Sequence, residues 1–209
     1  MSITYPLSLP NNKIRRIQFF ATSAIGVVAS QFTFSRQTQE HAGKMLGAEI
    51  VLAPQTREDA AGWNAFILKL SGQLGTFLLY DPLALTPQGV ATGTPLVKGA
   101  SQVVGSQSLV TDGWTAGQTN ILKADDCIQI GTGSASQLYK VLNDVDSDGS
   151  GNATLDIFPG LLTSPADNAP ITVTNCVGVF ALSQNQSQIY ASDETRVYDQ
   201  VITCVQVVG

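Results

Sequence analysis

Apolar and polar residues alternate with a period of two along much of this chain. Val28, Phe32 and Phe34 fall on one side of an extended segment, with Gln31, Thr33 and Ser35 on the other. Val201, Thr203, Val205 and Val207 repeat at the same spacing near the C-terminus. An extended backbone turns successive side chains to opposite faces, so this alternation predicts half-buried strands. Further strands are expected at 48–52, 74–80, 127–130, 138–143, 153–158, 171–175 and 177–182. One segment follows the helical period instead. Thr56, with Asp59 three residues on, gives a capping-box start; Ala60, Trp63, Ile67 and Leu70 recur on one face, and Ser71-Gly72 supplies the stop. Residues 57–71 therefore read as an amphipathic helix, with Trp63 on its buried stripe against strand residues such as Phe32 or Phe77.

Many short strands and one helix predict a mainly β (α+β) fold, an antiparallel β-sandwich or barrel. Between Asp81-Pro82 and Asp125, closely spaced glycines and prolines break any long element, leaving short pairings about 95–98 and 108–114. This divides the expected organisation into a β domain with the helix over 1–85, completed by 171–209, and an inserted β-rich module over 86–170. With 209 residues, 44% of them apolar, the chain has the material for a core without disulfides or metal.

Only 13% of the residues are charged, about half the usual ~25%, and Ser, Thr, Gln, Asn and Gly fill the polar positions. Eleven basic and sixteen acidic residues leave a net charge of −5 without a polybasic run, which argues against binding to nucleic acid or anionic lipid. Lys13, Arg15 and Arg16 precede a mostly apolar stretch, 17–29, that copies part of a secretory signal. Gln18, Thr22 and Ser23 interrupt it and no Ala-x-Ala site follows, so neither a signal nor a membrane association is expected. Cys127, Cys176 and Cys204 match no disulfide framework and no zinc spacing, and read as free thiols in a core made under reducing conditions.

Candidate chemistry is sparse. Asp144-x-Asp146-x-Asp148-Gly149 copies the first half of a calcium loop, but Leu155 occupies the position that must supply a bidentate carboxylate. A hairpin turn accounts for the same residues. His41, the single histidine, reads as a loop residue with no nucleophile elbow to serve. Gly131-x-Gly133 has Ser136 where a dinucleotide fingerprint needs its third glycine, and reads as a turn. Asn152-Ala-Thr154 and Asn185-Gln-Ser187 are sequons that matter only in a eukaryotic secretory pathway. Adjacent acids at Asp125-Asp126 and Asp193-Glu194 would point to opposite faces of a strand, and read as solvated turns. No catalytic, cofactor-binding or metal residue is assigned.

Several blocks in order carry a resemblance. They are 32–39 (Phe-Thr-Phe-Ser-Arg-Gln-Thr-Gln), 47–54 (Gly-Ala-Glu-Ile-Val-Leu-Ala-Pro), 57–66 (Arg-Glu-Asp-Ala-Ala-Gly-Trp-Asn-Ala-Phe) and 75–82 (Gly-Thr-Phe-Leu-Leu-Tyr-Asp-Pro). Further on come 122–131, 138–142 and 151–159. Together they resemble the distal tail and tail-tip structural proteins of tailed bacteriophages. The resemblance implies a tail-tube type of β-fold with one helix and a non-enzymatic subunit of a homo-oligomeric ring, usually a hexamer. It also implies neighbours in the tail tube, tape-measure and baseplate-hub or tail-tip proteins, and a place in the virion after synthesis in the bacterial cytoplasm. No cofactor and no specific nucleic-acid partner follow from it.

Few charges and many short strands suit broad subunit interfaces, where charged groups are costly to bury. The rival within the class is a tail-tube or minor tail protein. A rival of another class, a carbohydrate-binding module for host recognition, needs Trp63, Trp114 and Tyr139 exposed on one face. An esterase-like or glycosidase-like hydrolase acting on host surface sugar would need a cleft with paired carboxylates.

Overall fold

The alternating segments pair into two antiparallel sheets with one helix against the first, in a structure that is a computed structural model. It describes residues 3–10, 13–100, 102–185, 191–192 and 198–207. In chain order the elements are β1 (Ile14–Ala29), β2 (Arg36–Leu52), α1 (Arg57–Leu70), β3 (Thr76–Tyr80), β4 (Gly93–Val97), β5 (Ser108–Trp114) and β6 (Cys127–Ile130). Then follow β7 (Gln137–Val141), β8 (Ala153–Phe158), β9 (Ile171–Thr172), β10 (Val177–Leu182), β11 (Ala191–Ser192), β12 (Tyr198–Asp199) and β13 (Val201–Gln206).

The first sheet has the order β1-β2-β13-β10-β3, and β11 pairs with β12 as a small separate ribbon. Among the described residues no strand lies on the outer side of β1 in the first sheet, and Leu7 makes a parallel bridge to Phe77 along the outer side of β3. α1 lays its apolar stripe on this sheet. Trp63 is fully buried and meets Phe66 edge-on at 5.7 Å, and Phe66 meets Phe77 edge-on at 5.4 Å. Such ring pairs add to what burial alone contributes. At the start of α1 the Thr56 hydroxyl donates to the Asp59 carboxylate (3.3 Å), and the Thr56 side chain caps no backbone N–H. The helix ends when Ser71 turns left-handed (φ 51°), ahead of Gly72.

The second sheet, β4-β5-β8-β7-β6-β9, curls almost into a closed barrel. Its end strands meet through the Leu96–Pro170 bridge, Val97 N–H to Ala169 O (2.9 Å) and Asn168 N–H to Val97 O (2.9 Å). These contacts partly cover the two edges of that sheet. Leu109, Ile121, Leu122, Ile128, Leu155 and Ile157 fill it. Tyr139 is buried there with its hydroxyl satisfied on both sides, donating to Gln137 Oε1 (2.5 Å) and accepting from Leu162 N–H (3.2 Å).

The two sheets meet along β10. Val179 N–H donates to Ser136 O (3.1 Å), Val177 N–H to Gln129 Oε1 (2.9 Å) and Gln206 Nε2 to Leu138 O (3.0 Å). Cys127 and Leu138, from the barrel strands, contribute to the core of the first sheet. Lys140 ties the barrel to the turn after β3, reaching Asp81 at 3.1 Å and Asp125 at 3.0 Å.

Most expected strands form, some with different ends: β9 stops at Thr172, β13 at Gln206, and 72–74 form a short 3-10 turn. One expected strand segment is overturned. Residues 30–35 are not a strand but the reversal between β1 and β2, with Phe34 at φ 53°. Phe32 accordingly packs nowhere near Trp63 and is 96% exposed.

Candidate assembly interface

The two longest elements of the fold leave most of their length exposed. β1 and β2 pair antiparallel from Ile14 opposite Leu52 to Ala29 opposite Arg36. Leu46, Ala48, Ile50 and Leu52 reach the core, but beyond them residues 20–43 are exposed, apart from a half-buried Ser30. At ~3.4 Å per residue, the ribbon beyond Ala21 extends roughly 30 Å past the last core contact. Phe20 folds over Gly47, its cross-strand partner, where a side chain would collide with the ring. A glycine inside a strand at a site of close approach serves this purpose.

A bulge interrupts the ribbon at its root. Between the Ser23–Lys44 and Ile25–Glu40 pairs, β1 passes through Ala24 alone while β2 passes through His41, Ala42 and Gly43. Extra residues on one strand bend and twist a ribbon, which re-aims everything beyond them. Lys44 fixes the bend, bound to Glu40 at 2.5 Å and to Gln107 Oε1 at 2.7 Å, so that the ribbon root is held on the barrel loop. Lys44 holds the Glu40 carboxyl below its ordinary pKa by hydrogen bond and charge.

Past the bulge neither face of the ribbon is apolar enough to fold on itself. Ile25 and Val27 lie opposite Glu40 and Thr38, and Val28 lies opposite Gln37. At the tip, Ser30 N–H donates to Ser35 O and Phe34 N–H to Ser30 O, both at 2.9 Å. Ser30 Oγ accepts from the N–H groups of Phe32 and Thr33 (3.3 Å each), and the hydroxyls of Thr33 and Ser35 meet at 2.9 Å. The result is a hydrogen-bonded turn that carries Phe32 and Phe34 into solvent, 96% and 85% exposed. A bulky residue at positive φ is strained, and glycine would relieve it at Phe34 but present no ring.

Residues singled out from the sequence lie elsewhere and do not converge. Asp144 Oδ1 accepts from Ala124 N–H (2.9 Å) and Asp146 Oδ1 from Asn120 N–H (2.6 Å). Asp148 Oδ1 accepts from the N–H groups of Ser150 and Asn152, both at 2.8 Å. The three carboxylates thus cap separate loop segments, as a turn requires. The Asn152 side chain, followed by the backbone N–H groups of Asn152 and Ser150, holds the Asp148 carboxyl below the usual range.

Asp125 and Asp126 do face different ways, but Asp126 is not solvated: it is buried and accepts from Gln88, Gly89 and Lys123 N–H at 2.7, 3.1 and 2.8 Å. His41 sits in the β2 bulge rather than in a loop. Gly131 and Gly133 take positive φ at a turn. Asn152 accepts from Lys98 Nζ (2.6 Å), and Asn185 Oδ1 accepts from Gln73 N–H (3.3 Å). Asp193 and Glu194 lie outside the described residues. Trp63, Trp114 and Tyr139 are all buried, so the aromatic platform that a sugar-binding surface would need is not formed by them. The Trp114 indole N–H is used internally, donating to Thr111 Oγ1 at 2.8 Å.

The ribbon and its tip are the feature that sequence reading missed. Their signal was the uncharged stretch from Ile17 to Ser35, whose large apolar residues beyond Phe19 are left exposed. No protein-family profile matches the chain, and no curated protein sequence matches it.

Proposed function

We propose that this chain is a bacteriophage virion structural protein, a distal tail ring subunit that joins the tail tube to the tip or baseplate hub. It acts by self-assembly and not by catalysis. The observation that carries this reading is the β1–β2 ribbon, a roughly 30 Å projection with a free outer edge and an aromatic tip. An isolated two-stranded ribbon is at best marginally stable in water, and free edges and apolar tips are features that soluble proteins normally cover. A neighbouring subunit supplies such a cover, and repetition of one heterologous contact closes a ring. The ordered blocks resembling distal tail proteins support the same reading and favour six subunits. On it, loops of the module around residues 86–165 face outward or contact neighbours, and the tube, tape-measure and hub proteins stack against the ring.

Sedimentation velocity and negative-stain imaging of the purified chain test this reading. Rings with a central channel are expected. A monomer at every concentration would overturn it, and stacked tubes without discrete rings would favour the tail-tube alternative.

A further inference from the structure

A groove of about 480 Å³ opens where β1 starts and β3 ends, the two outer strands of the first sheet. Ile14, Ile17, Tyr80, Pro82, Leu83 and Leu85 supply its apolar lining, with Arg15 and Arg16 beside them. Leu83 is 97% exposed at its mouth. The mouth is held in shape. Asp81 Oδ1 accepts from Leu83 N–H (3.0 Å), Asp81 O accepts from Ala84 N–H (3.1 Å), and Lys140 fixes the same carboxylate from the barrel.

We infer that this groove receives the Phe32/Phe34 tip of a second copy of the chain, so that ribbon and groove are the two halves of one head-to-tail contact. The inference rests on the ring reading and names its contact.

Four observations select this occupant. First, a chain's own tip is remote from its groove: Ile17 lines it, and the thirteen residues of β1 from Ile17 to Ala29 carry the tip over a path of roughly 45 Å along the ribbon. That reach is comparable with the breadth of a 209-residue globule, on the order of 40 Å, which is the spacing between neighbours in a ring. Second, the chemistry is complementary. Residues 30–35 carry no charge, so docking adds no ion to the groove, and the guanidinium of Arg15 can face an aromatic ring. Third, burial favours the contact: the rings of Phe32 and Phe34, both exposed in the free chain, would leave water against the apolar lining of the groove. Fourth, both halves are preorganised by their own hydrogen bonds, which lowers the ordering cost of docking.

The test uses the full chain and surface substitutions that leave the core untouched. Phe32→Ser with Phe34→Ser removes the tip, and Leu83→Asp blocks the groove. Each variant alone should sediment as a monomer with an unchanged melting curve. Mixed one to one, they should form a dimer and nothing larger, because only one intact tip then faces one intact groove. Phe32→Cys mixed with Leu83→Cys should form an intermolecular disulfide after mild oxidation and thiol quenching.

If the Leu83→Asp variant assembles like the unaltered chain, the tip docks elsewhere and the inference is wrong while the ring reading stands. If the unaltered chain is monomeric yet the disulfide forms, the contact stands and the ring reading falls; if neither occurs, both fall. Cosedimentation with phosphatidylethanolamine and phosphatidylglycerol vesicles that requires Phe32 and Phe34, with assembly unaffected, would assign the tip to a membrane and overturn the contact.

Discussion

Cys204 lies in the core of the first sheet, its thiol donating to Ala48 O at 3.3 Å, and Cys176 donates to Cys127 O at 3.3 Å. Burial pushes both thiols from 9.0 up to about 12, and it raises Cys127 as well, where Lys140 on the adjacent strand offsets part of the effect. The consequence has a definite sign. Below pH 9 the thiols are neutral in folded and unfolded chains alike, and their contribution is fully present. Between about 9 and 12 the unfolded chain releases protons that the folded chain keeps, so stability falls by roughly 1.4 kcal/mol per pH unit for each thiol. Melting temperature should therefore drop between pH 9 and 11, and Cys204→Ala should flatten that slope. Native protein at pH 8 should react slowly with a thiol reagent, and denatured protein at three sites; one site would reveal a disulfide. The aspartates of 144–148 make a second prediction at this scale. Because each caps a loop, melts in chelator and in millimolar calcium should coincide, while Asp148→Ala lowers the melting temperature in both. A rise of several degrees with calcium would mean that the carboxylates bind the ion.

At the scale of elements, α1 and the β1–β2 ribbon have opposite roles. α1 supplies Trp63, Phe66, Ile67 and Leu70 to the core, and replacing Trp63 with Ala should cost roughly 3–5 kcal/mol in chemical denaturation. A stable variant defective only in assembly would place that residue at an interface instead. The distal ribbon contributes no buried residue to either core. Replacing 22–43 with a short Gly-Asn turn should leave the melting temperature within a few degrees of the full chain but abolish assembly. Loss of folding would mean that the bulge and the distal ribbon support the core.

For the whole molecule, charge becomes the relevant quantity. On the proposed ring reading, a subunit of −5 would present like charge to DNA phosphates, whereas affinity for DNA comes from Lys and Arg displacing counterions. The basic side chains near the start of β1 are partly engaged already, with Lys13 on Asp59 at 2.8 Å and Arg16 on Glu49 at 3.2 Å. No retention of duplex DNA is expected in gel shifts at tens of millimolar salt. Retention that weakens with added salt would expose a basic surface about Lys13, Arg15 and Arg16.

Much of this architecture was legible in the chain. Helix α1 was marked by Ala60, Trp63, Ile67 and Leu70, and β5, β6, β8 and β10 by apolar runs or alternation, because burial of a local face writes its own period into the sequence. The free thiols followed from cysteine spacing and the acidic turn from the missing carboxylate at Leu155. What the sequence could not determine depends on partners distant along the chain. Phe32 and Phe34 carry the same alternation as a strand, and only the reversal held by Ser30 turns them outward. Asp126 looks like any turn aspartate until Gln88 and Gly89 fold over it. The groove joins β1 to residues following β3 on opposite sides of one sheet, and the barrel closes where β4 meets the segment before β9. Periodicity reports which side of a residue is buried; what lies against that side is fixed by the packing of elements remote in sequence, and that was decided by the tertiary structure.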